Sequence, residues 1–380
     1  MNPVTGEPEM LKKLSSRFES KIRGSLEKAL KGRELSPSEG ERLLKSSDDE
    51  LDYLLKSADK LRERTVSDIV TYVLNRNINF TNVCTSGCKF CAFSRYPGDP
   101  GTYLLTTKQV SQKTREAVRN GATEICMQGG LHPSLKLENY IDYLRAIRRV
   151  SSNVHIHAFS PAEINHISRK SELDAKEVIK TLHEEGLDSI PGTAAEILMD
   201  RVRRIICPNK ISVEKWEEII KTSHELGIPT TSTLMYGHVE TPLEIATHLK
   251  KLREIQKETG GFTELVLLPF SSQNTELGKK GLSKELDPID HLRVHAVARI
   301  MLADQIKNIQ ASWVKLGPKL AQKTLDAGVN DLSGTLMEEN ITRSAGGKLE
   351  KMKPEEIREL IVEAGKIPRQ RTTTYELIGG

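Results

Sequence analysis

Cys84, Cys88 and Cys91 stand as C-x-x-x-C-x-Φ-C, with Phe90 as the aromatic and Gly87 easing a tight turn. Three thiolates on one short loop can converge on one metal centre. A cubane iron–sulfur cluster has four irons, so three cysteines leave one iron without a protein ligand and open to a chelating small molecule. A structural zinc asks instead for four closed ligands, usually as two paired C-x-x-C units, and the sequence holds no second pair. The expected group is therefore a 4Fe-4S cluster with one open iron. The chain has five cysteines, an odd number that does not suit a secreted disulfide framework. Cys126, inside an apolar run, and Cys207, near a helix end, are expected as small core residues.

Other residues have the chemistry to hold an organic molecule. Gln128-Gly129-Gly130 lets the backbone approach a ligand closely and offers carbonyl and amide groups; the competing explanation is a turn needing positive φ. Glu196 can accept from a ribose or an amine, and Arg201 or Arg203 can fork onto a carboxylate. An acid early in a helix and arginines late in it are also what the helix dipole prefers. His155 and His157 alternate along a strand and so share one face, from which they could orient a substrate or shuttle a proton. His132, His238 and Glu240 fall in turns beyond strands and suit acid–base work. Tyr236, Trp313 and Lys315 are further pocket candidates.

Positioning these residues requires a repeated scaffold. Eight β-rich runs occur, at Ile78–Asn82, Glu124–Gln128, His155–Ser160, Asp188–Pro191, Pro229–Met235, Phe262–Phe270, Asn308–Leu316 and Asp331–Leu336. Amphipathic helical stretches, from Lys108–Asn120 to Pro318–Ala327, separate them. Alternation of this kind predicts a (β/α)8 TIM-type barrel, whose chemistry sits at the carboxyl ends of its strands. Those ends lead to the cysteine loop, Gln128–His132, Ser160-Pro161, Gly192-Thr193, Tyr236–Glu240, Ser271–Asn274, Lys315–Gly317 and Gly334-Thr335. Ahead of the barrel (61–345), residues 1–60 read as a helical arm with leucines every three to four residues. After it, 346–380 reads as a helix near Pro354–Ala364 and a polar tail that folds over the barrel's opening or its bottom.

Composition narrows the partners. Lysine plus arginine, 56, against aspartate plus glutamate, 52, leaves +4, with no polybasic run and only 4% aromatic residues, which argues against nucleic acid. No run of 18 apolar residues exists, and Met1 to Met10 has neither an apolar core nor a basic start, so neither a membrane span nor a secretory signal is expected. The expected location is the cytoplasm.

The cysteine loop opening a βα barrel resembles the radical S-adenosylmethionine (SAM) superfamily. Asn75–Cys84, Gln128–Pro133, His155–Pro161 and Ser189–Leu198 resemble, within it, the group that makes deazaflavin and futalosine-derived menaquinone precursors. The resemblance runs from about Leu35 to Tyr375, and Gly192-Thr193-Ala194-Ala195-Glu196 is most similar to the tyrosine-dependent 4-hydroxyphenyl transferases of deazaflavin (coenzyme Fo) biosynthesis. It implies a radical SAM barrel whose open iron binds the amine and carboxylate of SAM and cleaves it to a 5′-deoxyadenosyl radical. By the same resemblance Gln128, Gly129, Gly130, Ser160, Glu196 and Arg201 or Arg203 serve SAM. His132, His157, His238 and Glu240 hold polar substrate and move protons. The implied substrates are L-tyrosine and 5-amino-6-(D-ribitylamino)uracil, with a one-electron reductant and a second radical SAM enzyme completing the deazaflavin. Two alternatives stay open: a menaquinone-pathway radical SAM enzyme acting on a futalosine derivative, and a metal-stabilised barrel that binds a partner or carries electrons without radical chemistry.

Overall fold

The computed structural model describes residues 22–193, 195–348 and 351–379. The start of the helical arm, the segment Met1–Met10 and Ala194 lie outside the described residues. Among the described residues, ten strands form two hydrogen-bonded sheets, in the orders β10-β9-β1-β8-β7-β6-β5 and β2-β3-β4. In chain order these are β1 Ile69–Val73, β2 Asn75–Asn79, β3 Glu124–Gln128, β4 His155–Ala158, β5 Thr230–Tyr236, β6 Phe262–Pro269, β7 Ile309–Ala311, β8 Asp331–Gly334, β9 Ile367–Arg371 and β10 Leu377–Ile378.

Two joints close the sheets into a barrel. β1 and β2 are one strand bent at Leu74, whose carbonyl turns aside to accept from Thr123 N at 2.8 Å. The first half pairs in parallel with β8, the second with β3, and Asn77 N donates to Leu336 O at 2.9 Å just beyond β8. On the far side, isolated parallel bridges His157↔Ser189 and Ile190↔Thr230 carry the ladder from β4 to β5. Pairing is parallel all round the ring, and β5 is buried along its whole length, as strands covered on both faces are.

Several boundaries depart from expectation. The first barrel strand runs from Asn75 to Asn79, so it shares only Ile78 and Asn79 with the expected Ile78–Asn82 run, and an additional strand, β1, precedes it. The fourth run shrinks to bridges at Ser189 and Ile190. Trp313–Leu316, expected as strand, is a short helix, because Gly317 at φ 79 ends it and Trp313 Nε1 is tied to Gly334 O at 2.9 Å. The helices Pro37–Leu44 and Asp48–Val66 of the arm, each begun by a serine capping box, pack on the outer helices Pro242–Thr259 and Pro288–Leu302. Among the described residues no helix is long and apolar enough to cross a membrane.

The tail goes to the bottom. β9 adds in parallel to β1 from Ile69↔Ile367 to Tyr72↔Gln370, at the amino-terminal end of the barrel strands. Arg371 turns inward there, with Nε 2.5 Å from Asp331 Oδ2 and Nη2 3.4 Å from Glu264 Oε2, and its guanidinium lies 4.0 Å from the Tyr375 ring. Tyr375 donates to Glu264, and Thr373 Oγ1 donates to Glu124 Oε2 at 2.8 Å. Carboxylates from β3, β6 and β8 are thus all partnered at the floor by residues of the tail, as buried charges must be.

Candidate active site

Two connected cavities occupy the barrel. The outer one, about 240 Å³, lies at the carboxyl ends of the strands and is lined by Cys84, Cys88, Cys91, Gln128, Gly129, Gly130, Ser160 and Glu196 among others. The inner one, about 250 Å³, fills the lumen down to Arg371 and Thr373. Asn79, Gln128, Thr193, Leu268, Lys315 and Ile341 line both and so form the neck between them.

The cysteine loop is held by its backbone. Cys84 N donates to Arg95 O at 2.9 Å, Thr85 N to Leu131 O at 3.2 Å and Lys89 N to Ile206 O at 2.8 Å. The three thiols are half-buried and face the outer cavity. Burial pushes the Cys88 thiol up to about 12, against the opposing pull of Lys210 and of Ser86, whose Oγ is 3.2 Å from the sulfur; burial raises Cys84 as well. Such thiols ionise only against a strongly cationic partner, which cluster iron supplies. Among the described residues no three His, Cys, Asp or Glu side chains converge on a single metal ion; cubane ligands go to separate irons and stand further apart. The donor set fits a 4Fe-4S cluster held by Cys84, Cys88 and Cys91.

Close packing accounts for the two glycines. Neither Gly129 nor Gly130 has positive φ, so a turn requirement does not explain them. A Cβ on Gly129 would stand 2.6 Å from the Phe80 ring, and one on Gly130 would stand 2.2 Å from the Val83 carbonyl oxygen and 2.9 Å from Cys84 Cβ. Their amides are already used, Gly129 N on Glu163 Oε1 at 3.0 Å and Gly130 N on Thr81 O at 2.9 Å. Of the carbonyl and amide groups expected to meet a ligand, the Gly129 and Gly130 carbonyls remain, as acceptors suited to an amine. Gly130→Ala is expected to disturb the cysteine loop itself: iron bound after anaerobic reconstitution should fall by more than half, and full iron would show that the Val83 backbone gives way.

Glu163 is missing from the sequence expectations, and the structure places it in a helix start. Ser160 caps Pro161–Ser171 with Pro161 at the first position. The same reciprocal box swings the carboxylate into the outer cavity, where it accepts from Ser160 N at 2.8 Å, Ser160 Oγ at 2.6 Å and Gly129 N. Burial outweighs these bonds and raises its carboxyl to about 7. Because this value exceeds the unfolded 4.5, folding takes up a proton between them, and the stability from this group falls as pH rises through that window. Glu163→Gln should remove that component, so the wild-type minus variant difference in denaturant midpoint, measured anaerobically, should shift between pH 5 and pH 8. A constant difference would assign Glu163 an ordinary acidity.

Glu196, in the left-handed region at φ 45, is ion-paired with Lys210, and Lys210 Nζ sits 5.3 Å above the Phe90 ring. The pair lowers the acid and raises the lysine, so a fixed dipole faces the cysteines across the outer cavity. Lys210 lies in a loop without periodicity and gave no signal in the sequence. His157 borders the inner cavity, with Nδ1 2.7 Å from Ser189 Oγ; burial lowers it to about 4, so its ring is neutral near pH 7. His155 reaches the same hydroxyl at 2.7 Å, which places both rings on one face as expected. Cys126, expected in the core, borders the inner cavity instead, while Cys207 is buried in the core.

Five of the residues expected to serve SAM or move protons line neither cavity. His132 accepts from Ser134 N at 3.2 Å on the rim. His238 and Glu240 meet at 2.9 Å, and Glu240 also accepts from Gly237 N at 2.8 Å and pairs with Lys284 at 3.2 Å, which ties off the turn after β5. Arg201 pairs with Glu244 at 2.6 Å outside the barrel mouth. Arg203 is buried and donates to Ala195 O at 2.7 Å, so it holds the loop carrying Glu196. Tyr236, bonded to His291 at 2.8 Å, and Trp313 also stay outside, whereas Lys315 enters the neck.

Comparison with known proteins agrees with this geometry. Residues 78–252 match the radical SAM superfamily and residues 247–379 the CofH/MqnC C-terminal region. A 5-amino-6-(D-ribitylamino)uracil–L-tyrosine 4-hydroxyphenyl transferase of Archaeoglobus fulgidus is 52% identical over 336 residues, covering 86% of this chain and 96% of its own. The transferase of the same name from Methanocaldococcus jannaschii is 47% identical over 354 residues, covering 92% and 99%. In fold, the chain is similar to the [FeFe]-hydrogenase maturase HydG (TM-score 0.73, 16% identity, 96% of this chain and 79% of that one) and to methylornithine synthase PylB (0.70, 17%, 90% and 97%). The chain belongs to the radical SAM superfamily, and within it to the family of the 5-amino-6-(D-ribitylamino)uracil–L-tyrosine 4-hydroxyphenyl transferases.

Proposed function

We propose that this enzyme moves the 4-hydroxybenzyl group of L-tyrosine to 5-amino-6-(D-ribitylamino)uracil in deazaflavin biosynthesis, releasing 2-iminoacetate, 5′-deoxyadenosine and methionine. The observation that carries the proposal is the pair of joined chambers, one faced by three thiols and one lined by polar side chains, in a chain about half identical to enzymes of that name. The cluster and SAM, when bound, supply one-electron hydrogen abstraction. In this assignment Cys84, Cys88 and Cys91 hold the cluster, and Gln128, the carbonyls of Gly129 and Gly130, Ser160 and Glu196 receive SAM.

The remaining work falls to the inner chamber. The bond from tyrosine Cα to its benzylic carbon must break and a bond from that carbon to carbon 5 of the uracil must form. Both partners therefore have to share one water-poor space. Asn77, Gln310, Thr231, Thr233 and neutral His157 offer donors and acceptors for the pyrimidine and its polyol chain, and Glu124 and Thr373 meet whatever reaches the floor. A one-electron reductant is needed, and a second radical SAM enzyme would complete the deazaflavin ring.

The test supplies ring-labelled tyrosine and the ribitylaminouracil to anaerobically reconstituted enzyme with SAM and reductant. Label should appear in a benzylated uracil, with glyoxylate from 2-iminoacetate in equal amount. Deoxyadenosine formed with a futalosine derivative and not with this pair would transfer the assignment to menaquinone chemistry.

A further inference from the structure

The neck between the chambers carries unanswered polar groups. Asn79 Oδ1 and Thr193 Oγ1 are buried and have no hydrogen-bond partner among the described residues. Asn79 uses its other amide atom, Nδ2, on Gln128 O at 3.4 Å, which leaves Oδ1 as a bare acceptor. An unmade bond of this kind costs about 1–3 kcal/mol, and buried polar atoms are nearly always paired, so two at one constriction point to a ligand that completes them.

A cation stands beside them. Lys315, on the short helix after β7, borders both chambers, and no side-chain hydrogen bond or ion pair engages its Nζ among the described residues. Burial holds its ammonium below the usual lysine range, with Glu339, Cys91 and Glu196 acting on it only through space. Beside the Gln128 side chain, the neck thus holds one ammonium donor and two unpartnered neutral acceptors, flanked by the apolar Leu268 and Ile341.

We propose that the neck is the clamp for the zwitterionic end of the tyrosine substrate: Lys315 takes the α-carboxylate, and Asn79 Oδ1 with Thr193 Oγ1 takes the α-amine. This rests on the proposed function and locates one substrate within it. The amine then faces the outer chamber, where hydrogen is abstracted. The phenol ring points past Leu268 and Ile341 toward the pyrimidine, so the bond to be broken lies across the neck.

Binding separates this clamp from a structural role. Calorimetric titration of reconstituted enzyme, with SAM present, compares L-tyrosine, tyramine (no carboxylate) and 3-(4-hydroxyphenyl)propionate (no amine). Lys315→Met should weaken L-tyrosine about 10- to 100-fold, the loss of one charge-assisted bond, and leave tyramine unchanged. Lys315→Arg should restore most of the affinity. Thr193→Val should weaken L-tyrosine and tyramine and spare the propionate. Iron content and the SAM-induced change in the cluster's electron paramagnetic resonance signal should stay constant in all three variants. Unchanged L-tyrosine affinity in Lys315→Met, or loss of the SAM response in its place, would overturn the clamp while wild-type turnover of tyrosine kept the function. Wild-type enzyme that neither binds nor converts L-tyrosine would sink the proposed function and the clamp with it.

Discussion

Alanine at Cys84, Cys88 or Cys91 is expected to abolish turnover and remove the broad iron–sulfur absorbance. Each thiolate holds a different iron, so two remaining ligands leave two irons open and the cluster lost to solvent or oxidant. The structure sharpens the control. Cys207 acts through space on Cys88 and is the buried thiol best placed to substitute as a ligand, while Cys126 looks into the inner chamber. Cys207→Ala and Cys126→Ala should both retain iron and absorbance. Equal loss from Cys207→Ala would mean that protein closes the fourth iron, leaving SAM no place on it.

Arg371→Met should destabilise the protein by about 3–5 kcal/mol, because removing one partner of a buried pair strands the other. Here it strands Asp331 and Glu264, both deep in the floor. Thr71 Oγ1 stays with Asp331 at 2.6 Å and Gln310 Nε2 with Glu264 at 2.7 Å, but neither supplies positive charge. The stranded acids should bind protons more tightly when folded than when unfolded, so the variant regains stability as pH falls. Denaturant midpoints at pH 8 and pH 5 should therefore show the larger deficit at pH 8. A deficit below about 1 kcal/mol at both would mean that the floor is held by the β9 ladder alone.

The barrel and its cysteine loop are legible in the sequence for local reasons. Three cysteines within eight positions and eight alternating runs need no knowledge of distant contacts. What escaped depends on pairing across the ring. Arg369-Gln370-Arg371-Thr372-Thr373 is expected over the barrel's opening or its bottom, but not as a strand, because a strand that faces a polar lumen inverts the usual rule of apolar residues inside. The bend at Leu74 is set by Thr123, far away in sequence, so the first strand was placed too late. Residue type alone does not separate His157, on β4, from His238, in the turn after β5: only the contact with Glu240 shows that the second is consumed by its own turn.

The sealed floor also governs traffic. Arg371, Thr373 and Asp331 are each no more than 5% exposed, so a molecule in the inner chamber has come through the neck and must leave through it. With SAM against the cluster and an amino acid in the neck, that route is blocked. Loading then becomes sequential, with the pyrimidine first and the amino acid and SAM behind it, and departure runs in reverse. Steady-state patterns should show it: L-tyrosine in excess should act as a dead-end inhibitor that excess pyrimidine relieves, and the benzylated product should be the last molecule out.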